Sequence, residues 1–196
     1  MTHRHGPPTA FGSPYRLLST AVTPRPIAWV STTSADGVDN LAPYSFFTVA
    51  AIDPPVVLFA PVGRDPLKDT PRNALASGEF VVNVVTRELV ESMNATSATL
   101  PTGESEFDHV GIERAPSERV DPPRVADAKI ALECELYDSI EVGNSLLVLG
   151  EVVHVHVDDA VLTDGTVDID ALDTIGRLSG SQYATTGERF AIDRPS

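Results

Sequence analysis

The sequence predicts a mainly β fold, an antiparallel barrel with a few flanking helices. Three observations predict it. Valine-rich segments of strand length recur along the chain. The intervals between them are rich in turn residues, drawn from 13 glycines and 16 prolines. The stretch Val153-His154-Val155-His156-Val157 alternates with period two, which sets its valines on one face of a strand. Only two helix signals stand against these strands, a balance that favours an antiparallel sheet with helical decoration. A length of 196 residues suits one domain with short appendages.

In chain order, the first ~22 residues lack periodicity and read as a tail or covering arm. Pro26 to Thr33 is a strand, and Ala35-Asp36-Gly37 supplies a hairpin turn. A second strand is predicted through Tyr44 to Ala51, broken by Asp53-Pro54-Pro55, and a third through Val56 to Ala60. A helix follows: Asp69 or Thr70 can cap it, Pro71 suits its first position and Gly78 its stop. Glu79 to Val85 is a strand, and Thr86 can cap a helix running through Ser92. Residues 95–128 form a long polar connection, which in a compact domain is usually functional or a cover. Ala128 to Ser139 and Leu146 to Val157 are the last strands.

Charge excludes some functions. A net charge of −14 argues against a nucleic-acid partner and against an anionic membrane surface, since both need clustered cations. The chain has no apolar run long enough to cross a bilayer and no signal-peptide core in Met1 to Pro8. Cys134 is the only cysteine, so an internal disulfide is impossible. The sequence is therefore expected to be soluble and cytoplasmic.

Two segments could carry chemistry. In Asp39-Asn40-Leu41-Ala42-Pro43-Tyr44-Ser45-Phe46-Phe47-Thr48, Asn40 and Ser45 offer polar atoms while Ala42 and Pro43 leave the backbone accessible. A flat heteroaromatic ring with polar edges needs such a place, although the same residues also suit an ordinary hairpin return. In Arg64-Asp65-Pro66-Leu67-Lys68-Asp69-Thr70-Pro71, Lys68 precedes a helix N-terminus, where N–H groups favour an anion. The Thr70 hydroxyl and Arg64 could add to it. Pro71 removes one N–H and Asp69 repels anions, so ordinary capping explains this segment equally well. His154 and His156 share a strand face and could bind metal together, but no third ligand stands at a diagnostic spacing, which favours a solvent-facing pair. His109 could edge a pocket or simply bond within its loop. No nucleophile-and-base pattern, Gly-rich dinucleotide fingerprint or P-loop occurs.

Taken in order, several stretches resemble the flavin reductase-like FMN-binding split-barrel family, particularly its flavoredoxin-like branch. They are Arg25 to Thr32, Gly37 to Phe47, Asp53-Pro54-Pro55, Lys68 to Asn73, Gly78 to Asn83 and the closing Gly176-Arg177-Leu178-Ser179-Gly180-Ser181-Gln182-Tyr183. The resemblance implies an N-terminal arm over 1–18 and, over 19–196, a six-stranded antiparallel split β-barrel that works as a homodimer with flavin near the interface. It implies that Ser31, Thr32 and the loop Asn40, Leu41, Ala42, Pro43, Tyr44, Ser45 and Phe46 line FMN, that Lys68 and Thr70 meet its phosphate, and that Arg177 and Tyr183 lie near the site. FAD could replace FMN. Two features depart from the family: Ser179 stands where a glycine is usual, and Gly150 to His154 replaces the Gly-Asp-His of the shorter reductases.

The implied activity is hydride transfer from NADH or NADPH to flavin N5 between stacked rings, with the chemistry carried by the flavin and no catalytic side chain or metal required. The implied partner is a flavin-dependent monooxygenase or an electron-transfer protein. The alternative is a flavin carrier reduced by another protein.

Overall fold

Strand β1 (Ala28–Thr33) lies at the heart of a computed structural model that describes residues 2–63, 65–187 and 189–195. Arg64, named above as a possible phosphate contact, lies outside the described residues. β1 pairs antiparallel with β2 (Asp39–Tyr44) on one side and β5 (Glu79–Val84) on the other. The Asp36-Gly37 turn makes the first hairpin, with Gly37 at φ +78°.

The remaining strands of the sheet are β3 (Phe47–Ala51), β4 (Val56–Phe59), and the long β8 (Ile130–Val142) and β9 (Ser145–Val157). The order is β2-β1-β5-β8-β9-β4-β3, antiparallel throughout. Laid flat, seven strands would hold the edges about 29 Å apart. Yet the edge strands β2 and β3 are joined through Ser45 and Phe46, a link of about 11 Å at full stretch. The sheet must therefore curl until its edges approach at one end, which makes an incompletely closed barrel.

The expected mainly β class stands, with seven strands in place of six. The segment read as one strand from Tyr44 to Ala51 is two. Tyr44 ends β2, the chain bends at Ser45-Phe46, and β3 starts on the opposite edge of the sheet. The aromatic residues on both sides of Ser45 concealed the bend.

Among the described residues, five α-helices decorate the barrel. α1 (Pro14–Ala21) lies in the stretch read as a tail, and the arm boundary drawn at residue 18 falls within it. α2 (Asp69–Ser77) is the expected first helix, with Lys68 rather than Asp69 or Thr70 at the N-cap and Gly78 at φ +78° as its stop. A 3-10 turn at Arg87–Leu89 leads into α3 (Val90–Ala95). α4 (Glu106–Val110) and the ribbon of β6 (Arg114–Ala115) with β7 (Arg124–Val125) occupy the long connection. Beyond β9 come the ribbon β10 (Leu162–Thr163) and β11 (Thr166–Val167), then α5 (Ile169–Leu172), then the hairpin of β12 (Ile175–Arg177) and β13 (Tyr183–Thr185). No helix among the described residues is long and apolar enough to cross a membrane.

Strand alternation builds two cores. Ala28 and Val30 point into the barrel with Tyr44, Phe59, Phe80, Val82 and Cys134, and Ala74 of α2 closes one end. Trp29 points outward, where Leu41, Met93, Phe107 and Val125 cover it. β1 is thus buried on both faces, as its run of apolar residues requires.

Candidate functional site

Plugging the barrel end with α2 forces polar residues together. Thr32 and Asn40 are directly paired across β1 and β2, so their side chains share the face that meets α2. The Asn73 amide donates to Thr32 Oγ1 at 3.2 Å, and the Thr70 hydroxyl donates to Asn40 Oδ1 at 2.5 Å. The Asn40 amide in turn donates to Glu106 Oε2 at 2.9 Å, and the same oxygen accepts the Leu41 N–H at 2.9 Å. Thr32, Asn40, Thr70, Asn73 and Glu106 are all buried, so each needs the partner it has. Arg114 fixes α4 in place by binding Asp39 at 2.9 Å, Asp108 at 2.7 Å and Ser105 at 3.0 Å.

This network forms one wall of a cleft of about 310 Å³. Asn40, Ala42, Pro43 and Tyr44 line it from β2, Lys68, Asp69 and Thr70 from the start of α2, and Thr96 to Leu100 from the long connection. Thr96 is held by the Trp29 indole, whose N–H donates to Thr96 Oγ1 at 2.9 Å. Burial, with the charges of Glu106 and Asp69, pushes the Tyr44 phenol up to about 12 against the opposing Thr70 hydrogen bond. Tyr44 therefore stays a neutral hydrogen-bond donor at physiological pH.

The charge distribution favours an anion at one end. Lys68 is exposed, and its ammonium has no hydrogen-bond or ion-pair partner among the described residues. Asp69, the neighbouring negative charge, is turned to an ion pair with Arg72. The first N–H groups of α2 have no intrahelical acceptor. The Thr70 hydroxyl is committed to Asn40, which leaves its backbone N–H rather than its side chain for a ligand.

A second hollow of about 220 Å³ adjoins the cleft, sharing Pro43 and Ser97 with it. Ser45, Asn94, Arg177 and Tyr183 line it. The Arg177 guanidinium sits 4.6 Å from the Tyr183 ring centre and donates to its phenol, which donates to Asn94 at 3.1 Å. Ser179 meets Thr20 at 2.8 Å and ties α1 to this hairpin.

The side chains expected at the site therefore fall into three groups. Asn40, Ala42, Pro43, Tyr44, Lys68 and Thr70 line the cleft, and Ser45, Arg177 and Tyr183 line the adjoining hollow. Ser31, Thr32, Leu41 and Phe46 line neither. Ser31 is fully buried and donates to the Pro123 carbonyl at 2.5 Å, Thr32 joins the network behind the wall, Leu41 packs in the outer core, and Phe46 faces Tyr15. Glu106 was not singled out from the sequence; its partners lie 65 and 66 residues away, and no local pattern marks it. His109 edges a separate hollow beside Asp108 and Arg114. Gly150 to His154 lies within β9 away from the cleft, where Gly150 makes room for the Phe80 ring.

With this geometry established, the relatives can be identified. The flavin reductase-like domain model matches residues 20–171. The chain belongs to that family. An uncharacterized protein of Halalkalibacterium halodurans is 44% identical over 191 residues, covering 93% of this chain and 91% of the relative. Among solved structures, component B of nitrilotriacetate monooxygenase from Bacillus cereus superposes with a TM-score of 0.93 at 33% identity, covering 98% of this chain and 100% of that one. The 2-nitrobenzoate 2-nitroreductase of Pseudomonas fluorescens gives 0.88 at 32%, covering 100% and 97%. Flavoredoxin of Desulfovibrio vulgaris (Miyazaki F) gives 0.79 at 25%, covering 87% and 91%. The flavin reductase-like split barrel is thus the fold of this chain, and the family's flavoredoxin is among its structural neighbours.

Proposed function

We propose that the chain is an NAD(P)H-dependent flavin oxidoreductase that holds FMN in the cleft between β2 and α2. One observation carries this reading. An unpaired ammonium and free helix N–H groups stand at one end of a groove lined further along by small or apolar residues, among them Ala42, Pro43, Ser97, Ala98 and Leu100. That donor set fits a phosphate joined to a planar ring. Lys68 and the first turn of α2 hold the phosphate. Ala42, Pro43 and Leu100 supply flat apolar contact, and neutral Tyr44 a donor. A bound flavin supplies N5 as hydride acceptor, so the protein's contribution is orientation and exclusion of water. The hollow lined by Arg177 and Tyr183 gives a negatively charged nicotinamide nucleotide a place beside the flavin. Reduced flavin, or its electrons, passes to a partner oxygenase in the cytoplasm, a role in keeping with the component B relative.

The test joins a mutant to an activity. Lys68→Ala weakens FMN by about 5- to 150-fold, or 1–3 kcal/mol, while riboflavin binding barely changes because it lacks the phosphate. Equal weakening of both ligands would place Lys68 away from the phosphate. Steady-state NADH or NADPH oxidation with added FMN is expected. Tight flavin without turnover would instead support an electron carrier of the flavoredoxin kind. The chromophore released on denaturation distinguishes FMN from FAD.

The reading includes a homodimer. The far half of β8 leaves Tyr137, Ile140 and Val142 exposed, and Ile52 after the β3 edge is 81% exposed. A second copy would cover these apolar side chains. Light scattering of the eluted protein should give twice the 20.9 kDa chain mass, and Ile140→Lys should shift it toward monomer. A monomer in the unmutated protein overturns the dimer.

A further inference from the structure

We infer that Glu133, His154 and His156 form a binding site for a divalent transition-metal ion of the zinc class on the outer face of the barrel. The three donor atoms lie within 4.8 Å of one another, and none of these residues lines the flavin cleft. Sequence spacing alone gave the histidine pair but no third ligand. The register of β8 and β9 provides it: Glu133 stands directly opposite His154, and His156 follows two residues along the same face.

Four observations carry the inference. First, Glu133 is fully buried, and a carboxylate is costly there unless something holds it. Second, two backbone N–H groups already orient it, Glu118 to Oε1 at 2.8 Å and Arg119 to Oε2 at 2.7 Å, the kind of support that fixes metal ligands. Third, His156 Nε2 lies 2.5 Å from Glu133 Oε1, and the two imidazole rings sit 5.1 Å apart at an interplanar angle of 75°, with both histidines partly open to solvent. Fourth, tetrahedral ligands on ~2.1 Å bonds stand about 3.4 Å apart, so side-chain rotations of about 1 Å bring all three donors onto one ion.

Two imidazoles and one carboxylate favour zinc and its neighbours over magnesium or calcium, which take oxygen ligands. One coordination position faces outward for water. Because Glu133 also holds the backbone of residues 118 and 119, a bound ion anchors the loop that covers this side of the sheet.

The test is Zn²⁺ calorimetry on the full chain, carrying whatever flavin it purifies with, after chelator treatment. One ion per chain with a Kd below about 10 µM is expected. His154→Gln, chosen because that side chain is partly exposed and accepts no hydrogen bond on which the fold depends, should weaken binding at least ~10-fold while leaving the melting temperature and flavin spectrum intact. Replacing His3 and His5 together with alanine should change nothing, and X-ray absorption at the zinc edge should count two imidazoles. No saturable binding, binding unchanged by His154→Gln, or binding lost with His3 and His5 would each overturn the site. It would leave Glu133 and His156 as a hydrogen-bonded pair alone.

Discussion

Trp29→Ala should lower stability by about 3–5 kcal/mol and, in the surviving folded fraction, weaken flavin binding. Trp29 is the chain's only tryptophan, fully buried, and packed between Leu41, Met93 and Phe107 of the outer core. Removing it empties a large volume at a point where β1 is already covered on both faces, so the surroundings cannot collapse without moving the sheet. The indole also donates to Thr96, the first residue of the cleft's third wall. Trp29→Phe separates the two effects. It keeps most of the volume and removes the donor, so it should cost about 1–2 kcal/mol of stability while still loosening the wall. Urea denaturation followed by circular dichroism measures the first quantity and flavin titration the second. Flavin affinity untouched in Trp29→Phe would show that Thr96 does not depend on the indole.

Gly150→Val should be strongly destabilising although Gly150 lies away from the cleft. A Cβ at Gly150 would lie 2.2 Å from Phe80 Cζ and 2.9 Å from Cys134 Cβ, both fully buried inside the barrel. The Phe80 ring is backed by Phe59, which packs edge-on against it at 5.4 Å. Overpacking typically costs 1–3 kcal/mol, and the branched valine should reach about 3 or more. Thermal melting measures it. The paired variant Gly150→Val with Phe80→Leu, which clears the ring, should recover a substantial part of the loss. Failure to recover any would mean the glycine serves the backbone of β9 rather than the ring.

These predictions rest on features of unequal visibility in the sequence. The α2 signal was local and readable: Pro71 near the start, Gly78 at the stop and Lys68 ahead of them. The role of Gly150 was not readable, since a glycine within a strand says only that something comes close. That something is a ring on β5, 70 positions earlier in the chain. α1 was missed because its eight residues carry no strong cap and pack against Phe46 and the distant Ser179 rather than following a long apolar stripe. Ser31 and Thr32 carry polar side chains that read alike, yet strand alternation sends them to opposite faces and neither reaches the cleft.

The sequence by itself determined what local chemistry can encode. Valine runs with period two set the strands, proline and glycine set the breaks, and the charge balance set which ligands must be met by a few local cations. The tertiary structure decided everything that depends on distant residues meeting. It split one apolar run into two edge strands, brought Asn40 to Glu106, and put Glu133 opposite His154. The physical reason is that a buried polar atom is satisfied by whatever partner the fold delivers, and sheet register delivers partners without regard to their separation along the chain.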